Sequence, residues 1–313
     1  MTEITNNIIT KIFNTYINFR LRLMGIKKDV VKKQGGIVYY EGGSQFQDTI
    51  VLLHGFADSK NGHLMVANKL LSNYRVLIPD LPGFGENTRN YQDTYSVFFM
   101  SEKVIELLRE KRLEKVHVLG NSLGGAVAMG IATRAPELVK SLVLVGSAGF
   151  YSPDIQTVQD EFLKGDYIFQ VNSDDEFKKL VERVFAKPPR IPWFLFNYLS
   201  KEFQENGKWY RKLLNDLVGE DTANKSVDEL MKDSFNDQAR EFSMSTLLLW
   251  GEEDRLFPPQ IGEFANAIIP NSKLKILNSA GHAPQHENLP DYMDALLVFL
   301  KENETNNNLM REL

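Results

Sequence analysis

Cysteine is absent from this chain of 313 residues, and histidine occurs only five times. The first absence excludes a disulfide framework, a thiolate-held zinc or iron–sulfur site and a thiol nucleophile. The second leaves a short list of imidazole bases: His54, His63, His117, His282 and His286. An excess of basic charge is also lacking. The formal net charge is −5, so no nucleic-acid partner is expected, since such proteins carry a basic face. No run approaches the ~20 apolar residues a membrane-spanning helix needs. Polar Thr and Asn interrupt the early apolar residues, so no secretory signal is expected, and the expected location is cytoplasmic. What is present fits a folded chain: 43% hydrophobic residues support a packed core rather than disorder. The length allows one large domain or two small ones.

The charge is unevenly placed. Residues 1–33 hold seven bases and two acids, a net +5, which leaves −10 for the remainder. This segment also has helical period. Ile4, Ile8, Ile12 and Tyr16 recur every four residues, as do Ile9, Phe13 and Ile17, and Phe19 and Leu23 widen the stripe. An amphipathic helix followed by clustered Lys and Arg suits peripheral contact with an anionic lipid surface. The same stripe equally suits a helix packed on its own domain.

Seven short runs rich in β-branched residues or leucine predict strands: Ile37–Glu41, Thr49–Leu53, Arg75–Pro79, Val116–Gly120, Ser141–Val145, Thr246–Trp250 and Leu274–Leu277. They read as continuous apolar runs, as strands buried on both faces do. Helical patterns fall near 61–72, 94–112, 123–134, 259–268 and 289–302. Alternation of this kind predicts an α/β fold with a mostly parallel sheet. The rhythm breaks over 149–243, which is helical, charged and rich in aromatics. The expected organisation is an amphipathic arm (1–33), a core in two segments (34–148 and 244–304), a helical lid (149–243) and a polar tail (305–313), with the Asn-rich stretch Asn303–Asn308 expected to fray.

The most informative stretch is Val116-His117-Val118-Leu119-Gly120-Asn121-Ser122-Leu123-Gly124-Gly125. It reads as a strand, a tight turn and a helix start, with Gly-x-Ser-x-Gly at the turn. Small residues at 120 and 124 let strand and helix approach while Ser122 takes a strained conformation above the sheet edge. A serine hydroxyl needs a base, itself held by a third group. In this arrangement the chain order is Ser, acid, His, which leaves His282 and His286. The loop Ser279-Ala280-Gly281-His282 follows a predicted strand and favours His282, with His286 at a pocket rim or the surface. Asp254 is the favoured acid, in the loop Trp250-Gly251-Glu252-Glu253-Asp254-Arg255-Leu256-Phe257-Pro258. Glu252 and Glu253 suit solvent or a helix cap, and Asp80 suits its own turn. Two N–H donors for a developing oxyanion are expected from Leu123, directly after the serine, and from Phe56, with His54 holding the latter's loop. No metal and no cofactor are expected.

Together these residues resemble the α/β-hydrolase superfamily. The motifs that carry the likeness are Leu53-His54-Gly55-Phe56, Pro79-Asp80-Leu81-Pro82-Gly83-Phe84-Gly85, the serine turn, Trp250-Gly251-Glu252-Glu253-Asp254 and Gly281-His282. Within it, His54–Lys60, Gly83–Arg89 and Trp209–Val218 resemble monoacylglycerol lipases of the membrane-associated animal type and their bacterial lipase and esterase relatives. The likeness runs over roughly residues 25–301. It implies an α/β-hydrolase fold with an inserted helical lid, and cleavage of monoacylglycerol-like acyl esters through a serine acyl-enzyme. In the lid, Ile191–Leu199 is the most apolar run. Its Trp193, Phe194 and Phe196 are expected either to wall an acyl pocket or to pack the lid on the core. Two other readings stay open: a carbon–carbon bond hydrolase of ring-cleavage diketones, and a noncatalytic receptor or scaffold on the same fold.

Overall fold

Apolar strand segments spaced by helices build one eight-stranded sheet in the computed structural model, which describes residues 3–31, 36–218 and 234–311. The strands are β1 (Lys27–Val30), β2 (Val38–Gly42), β3 (Thr49–Leu53), β4 (Arg75–Pro79), β5 (Val116–Asn121), β6 (Val139–Val145), β7 (Thr246–Gly251) and β8 (Ser272–Leu277). Their spatial order is β1-β2-β4-β3-β5-β6-β7-β8. β1 and β2 are antiparallel, and every pairing from β4 through β8 is parallel.

Seven of these strands fall where the apolar runs predicted them. β1 was not predicted, because all four of its residues are exposed and three of them are charged, leaving no apolar run. It is held by backbone pairing to β2. β8 departs from the continuous apolar pattern and alternates, being partly exposed at the opposite edge.

The remaining elements are α1 (Glu3–Leu23), α2 (Leu64–Leu70), α3 (Val97–Glu110), α4 (Leu123–Arg134), α5 (Val158–Leu163), α6 (Asp174–Val184), α7 (Trp193–Val218), α8 (Asn236–Arg240), α9 (Pro259–Ile268), α10 (Pro284–Glu287) and α11 (Leu289–Arg311). Strand alternation divides the core between two faces. Val118, Leu142 and Leu248 face a layer containing Val127 and Ile131 of α4 and Ile261 of α9. Leu119, Val143 and Leu249 face Leu70 of α2 and Tyr292 and Leu296 of α11. The central strands are thus covered on both sides, and their carboxyl ends are left to carry the site.

Helices α5, α6 and α7 leave the sheet after β6 and lie over those carboxyl ends, within the expected insertion. Its stretch 219–233 lies outside the described residues, as does the expected arm–core boundary at 33/34. α11 continues to Arg311 through Asn303–Asn308, where the composition suggested fraying. α1 is packed on the core at its carboxyl end and open along much of its stripe. Leu21 is buried in the core, while Ile12, Tyr16, Phe19 and Leu23 are each more than half exposed. Thr10 of α1 also meets the hydroxyl of Tyr198 on α7 at 3.1 Å.

Candidate active site

Ser122 stands at the turn from β5 to α4, with φ 54° and ψ −118°. This conformation is strained for a non-glycine residue, and the surroundings hold it there. The Ser122 N–H donates to Val145 O at 2.9 Å, and its carbonyl accepts from Gly125 at 2.9 Å and Ala148 at 3.1 Å. The turn also needs Gly124, where a Cβ would lie 2.2 Å from Leu53 O. The motif spacing is therefore a packing requirement: α4 starts in contact with the backbone of β3.

Asp254 and His282 come together from the loops after β7 and β8. His282 Nδ1–H donates to Asp254 Oδ2 at 2.8 Å. The other oxygen, Asp254 Oδ1, accepts from the N–H groups of Leu256 at 2.9 Å and Phe257 at 3.0 Å. Three donors thus face this buried carboxylate and hold it in one orientation. With the proton on Nδ1, Nε2 is the ring's acceptor, and His282 lines the same cavity as Ser122. Gly146, with φ +48°, makes room for the pair: a Cβ there would be 3.0 Å from Asp254 Oδ2 and 3.2 Å from His282 Nδ1.

The other acids are engaged elsewhere. Asp80 is buried against Lys60, with 2.5 Å between Oδ2 and Nζ, and its oxygens also accept from the N–H groups of Lys60 and Glu86. It orders the turn after β4. Glu252 and Glu253 are exposed.

The oxyanion candidates sit beside the serine. Leu123 is the first residue of α4, so its N–H has no acceptor one turn back in the helix. Gly55 abuts the serine: a Cβ on Gly55 would lie 3.3 Å from Ser122 Cβ. His54 fixes the adjoining peptide. Its Nε2 accepts from Leu81 N–H at 2.9 Å, which puts the proton on Nδ1, and Nδ1–H donates to Gly55 O at 2.8 Å. Since the Gly55 carbonyl and the Phe56 N–H belong to one trans peptide, anchoring the first sets the direction of the second.

Ser122, Asp58, Gln285 and His286 share with His282 a cavity of about 390 Å³. Much of its apolar wall comes from the insertion, with Phe177, Leu180 and Val184 from α6 and Leu199 and Phe203 from α7, joined by Phe56 and Leu256 from the core. Of the two readings left open for the aromatic run, the cavity wall is not met by Trp193, Phe194 or Phe196, and Phe196 fits the packing one. Trp193 and Phe194 occupy the first turn of α7, exposed by 71% and 46%, and neither lines the cavity. Phe196 packs inside the cap against Phe177, ring centroids 5.2 Å apart, and is likewise not a lining residue. Leu199 and Phe203, four residues apart, carry the inner stripe of α7 into the cavity; Phe196 shares that stripe but ends against Phe177, and Trp193 and Phe194 lie in the exposed first turn.

The cap is tied to the loops beneath it. His282 N–H donates to Val184 O at 2.8 Å, and the Arg255 guanidinium donates to Glu182 O at 2.7 Å. Glu287 accepts from Gly281 N–H at 2.6 Å and from Lys187 N–H at 3.1 Å. The carboxyl end of α6 therefore helps set where His282 stands. Motif reading missed these contacts, and it missed Asn121, which donates to Val145 O at 3.0 Å and to His282 O at 3.4 Å. Asn121 lay inside the quoted motif, but its partners are distant in sequence and left no local signal.

An acceptor imidazole held by a carboxylate, beside a serine at a strained strand-to-helix turn under a helical cap, defines a hydrolase class. The chain belongs to the α/β-hydrolase fold family, whose model matches residues 48–289. It is 31% identical over 265 residues to Lipase 1 of Psychrobacter immobilis, covering 84% of this chain and 80% of that protein. It is 26% identical over 274 residues to a 2-hydroxy-6-oxononadienedioate/2-hydroxy-6-oxononatrienedioate hydrolase of Pseudomonas putida, covering 84% and 91%. Among solved structures it is similar to a membrane phospholipase A described as a bacterial virulence factor, with a TM-score of 0.83, 26% identity and coverage of 94% and 92%.

Proposed function

We propose that this chain is a serine carboxylic-ester hydrolase acting on single-chain acyl esters of the monoacylglycerol kind. The observation that carries the reading is the Asp254–His282 pair opening, with Ser122, into a cavity walled by apolar side chains. In this mechanism Ser122 Oγ attacks the ester carbonyl as His282 Nε2 takes its proton, and Asp254 stabilises the imidazolium. The N–H groups of Phe56 and Leu123 hold the tetrahedral oxyanion, where one donor is worth about 10²–10³ in rate. His282 then protonates the leaving alcohol, and a water activated by the same ring releases the fatty acid.

The apolar wall suits an acyl chain, each buried methylene adding about 0.8 kcal/mol. A volume of 390 Å³ is small among ligand sites, which run from about 300 to 1,000 Å³. It favours one chain over the three of a triacylglycerol. Similarity to a lipase supports ester chemistry. Similarity to the Pseudomonas putida hydrolase keeps carbon–carbon cleavage as a rival. That relative's named substrates are dicarboxylates, whereas no Lys or Arg lines this cavity among the described residues, and Asp58 adds negative charge. A hydrolysis profile across acyl length and glycerol esterification tests the reading. Monoacylglycerols should exceed triacylglycerols of the same acid in kcat/KM by at least about tenfold. Turnover of a ring-cleavage dienone without turnover of any ester would overturn it.

The exposed apolar residues of α1, with Arg20 and Arg22 in its last turn and Lys27 and Lys28 just beyond it, support peripheral contact with an anionic lipid surface. No helix among the described residues is long and apolar enough to cross a membrane. In flotation with anionic vesicles, Phe13→Asp/Phe19→Asp should lower the bound fraction. Equal binding of the double variant and the unaltered protein would sink this contact.

A further inference from the structure

Beside the serine, the cavity contains polar groups that the ester mechanism does not use. Gln285 is 3% exposed and lines the cavity, yet its Oε1 has no protein partner among the described residues. The orientation of its amide follows from the neighbouring network. Asn121 Nδ2 donates to Val145 O and His282 O, which turns Asn121 Oδ1 towards Gln285. Gln285 Nε2 donates to that oxygen at 3.4 Å, so Oε1 is the end left over, and it can only accept. A buried acceptor without a donor is costly, and such atoms in a built site mark a ligand or a bound water.

Asp58 lines the same cavity. Its Oδ1 accepts from Ser59 N–H at 2.7 Å, which fixes the carboxylate on its loop. It too can only accept. His286 joins them at the rim, and burial holds its imidazole below the ordinary histidine range, with the Asp58 charge opposing that shift.

We propose that Asp58 and the free Gln285 Oε1 form the subsite for the alcohol half of the substrate, and that they select an alcohol with unesterified hydroxyl groups. This rests on the ester-hydrolase reading and deepens it. Two acceptors need donors, and the free hydroxyls of a glycerol monoester supply them. A methyl ester offers none, and neither does a triacylglycerol, whose other oxygens are esterified. A phosphate-bearing alcohol would bring its negative charge towards Asp58 in a cavity that no Lys or Arg lines among the described residues. The site therefore favours a neutral polyol.

The test uses the full-length protein with 1-decanoylglycerol and methyl decanoate, comparing unaltered protein, Asp58→Asn and Gln285→Leu. The readout is the ratio of kcat/KM for the glyceryl ester to that for the methyl ester. Each variant should lower this ratio about tenfold, the loss expected when a built hydrogen-bond partner of a substrate hydroxyl is removed. Asp58→Asn keeps the acceptor for Ser59, so it tests the subsite without touching the Asn121 network. Labelling rates with a fluorophosphonate, which carries no polyol, report whether Ser122 remains competent in each variant. An unchanged ratio overturns the proposal, whether both rates fall together or neither does. If the unaltered protein hydrolyses neither ester, the ester reading fails and the subsite falls with it. If it hydrolyses both at a ratio the variants share, the subsite alone fails.

Discussion

Ser122→Ala should lower kcat for a short acyl ester by about 10⁶, the scale on which loss of the nucleophile is felt in serine hydrolases. Removing the hydroxyl removes the acyl-enzyme route, and what survives is only what binding and the oxyanion donors achieve with water. The fold should tolerate the change. Ser122 is held through its backbone, with its N–H on Val145 O and its carbonyl accepting from Gly125 and Ala148, and alanine retains all of these. The positive φ remains as strained for alanine as for serine. The check is steady-state hydrolysis of a nitrophenyl ester beside a thermal melt. A variant with an unchanged Tm and retained turnover would remove Ser122 from the mechanism.

Asp254→Asn should cost about 10⁴ in kcat, for a reason that lies in three hydrogen bonds. Oδ1 accepts from Leu256 and Phe257, and only Oδ2 faces His282 Nδ1. An asparagine keeps the two backbone donors by placing its carbonyl oxygen there. Its NH₂ group then points at His282 Nδ1. That nitrogen must become an acceptor, so the proton moves to Nε2 and the ring can no longer take the serine proton. A loss in kcat with little change in KM is the expected split, because the substrate does not touch Asp254. A fall of less than about tenfold would mean that His282 takes its tautomer from another partner.

The strained turn at Ser122 and the meeting of Asp254 with His282 were legible because a tight strand-to-helix turn and loops at strand ends each leave a local pattern. Gly-x-Ser-x-Gly after an apolar strand shows this best, since Gly124 meets the backbone of β3. The buried strands were legible as continuous apolar runs, whereas β1, exposed throughout and held by backbone pairing, had no such signature. Which members of the apolar run line the cavity was not legible, for a related reason. The run Ile191–Leu199 is apolar whichever way it faces, and only the phase of α7 separates the exposed Trp193 from the lining Leu199. The Asn121–Gln285 contact joins residues 164 apart in sequence through polar side chains that occur in any loop. No periodicity announces such a pair, and none announces that one amide oxygen is left unpaired.

That Ser122 forms a covalent acyl intermediate is the claim on which the rest depends. Intact-protein mass measurement after brief mixing with an activated acyl ester, followed by peptide mapping, reads it directly. The account predicts one added acyl group, on Ser122, that disappears with time as His282-activated water releases it. It also predicts that no adduct forms in Ser122→Ala. An unmodified protein that nevertheless turns the ester over, or an acyl group mapped to another residue, would contradict it. A protein that neither acylates nor turns over any ester would be a noncatalytic member of its fold.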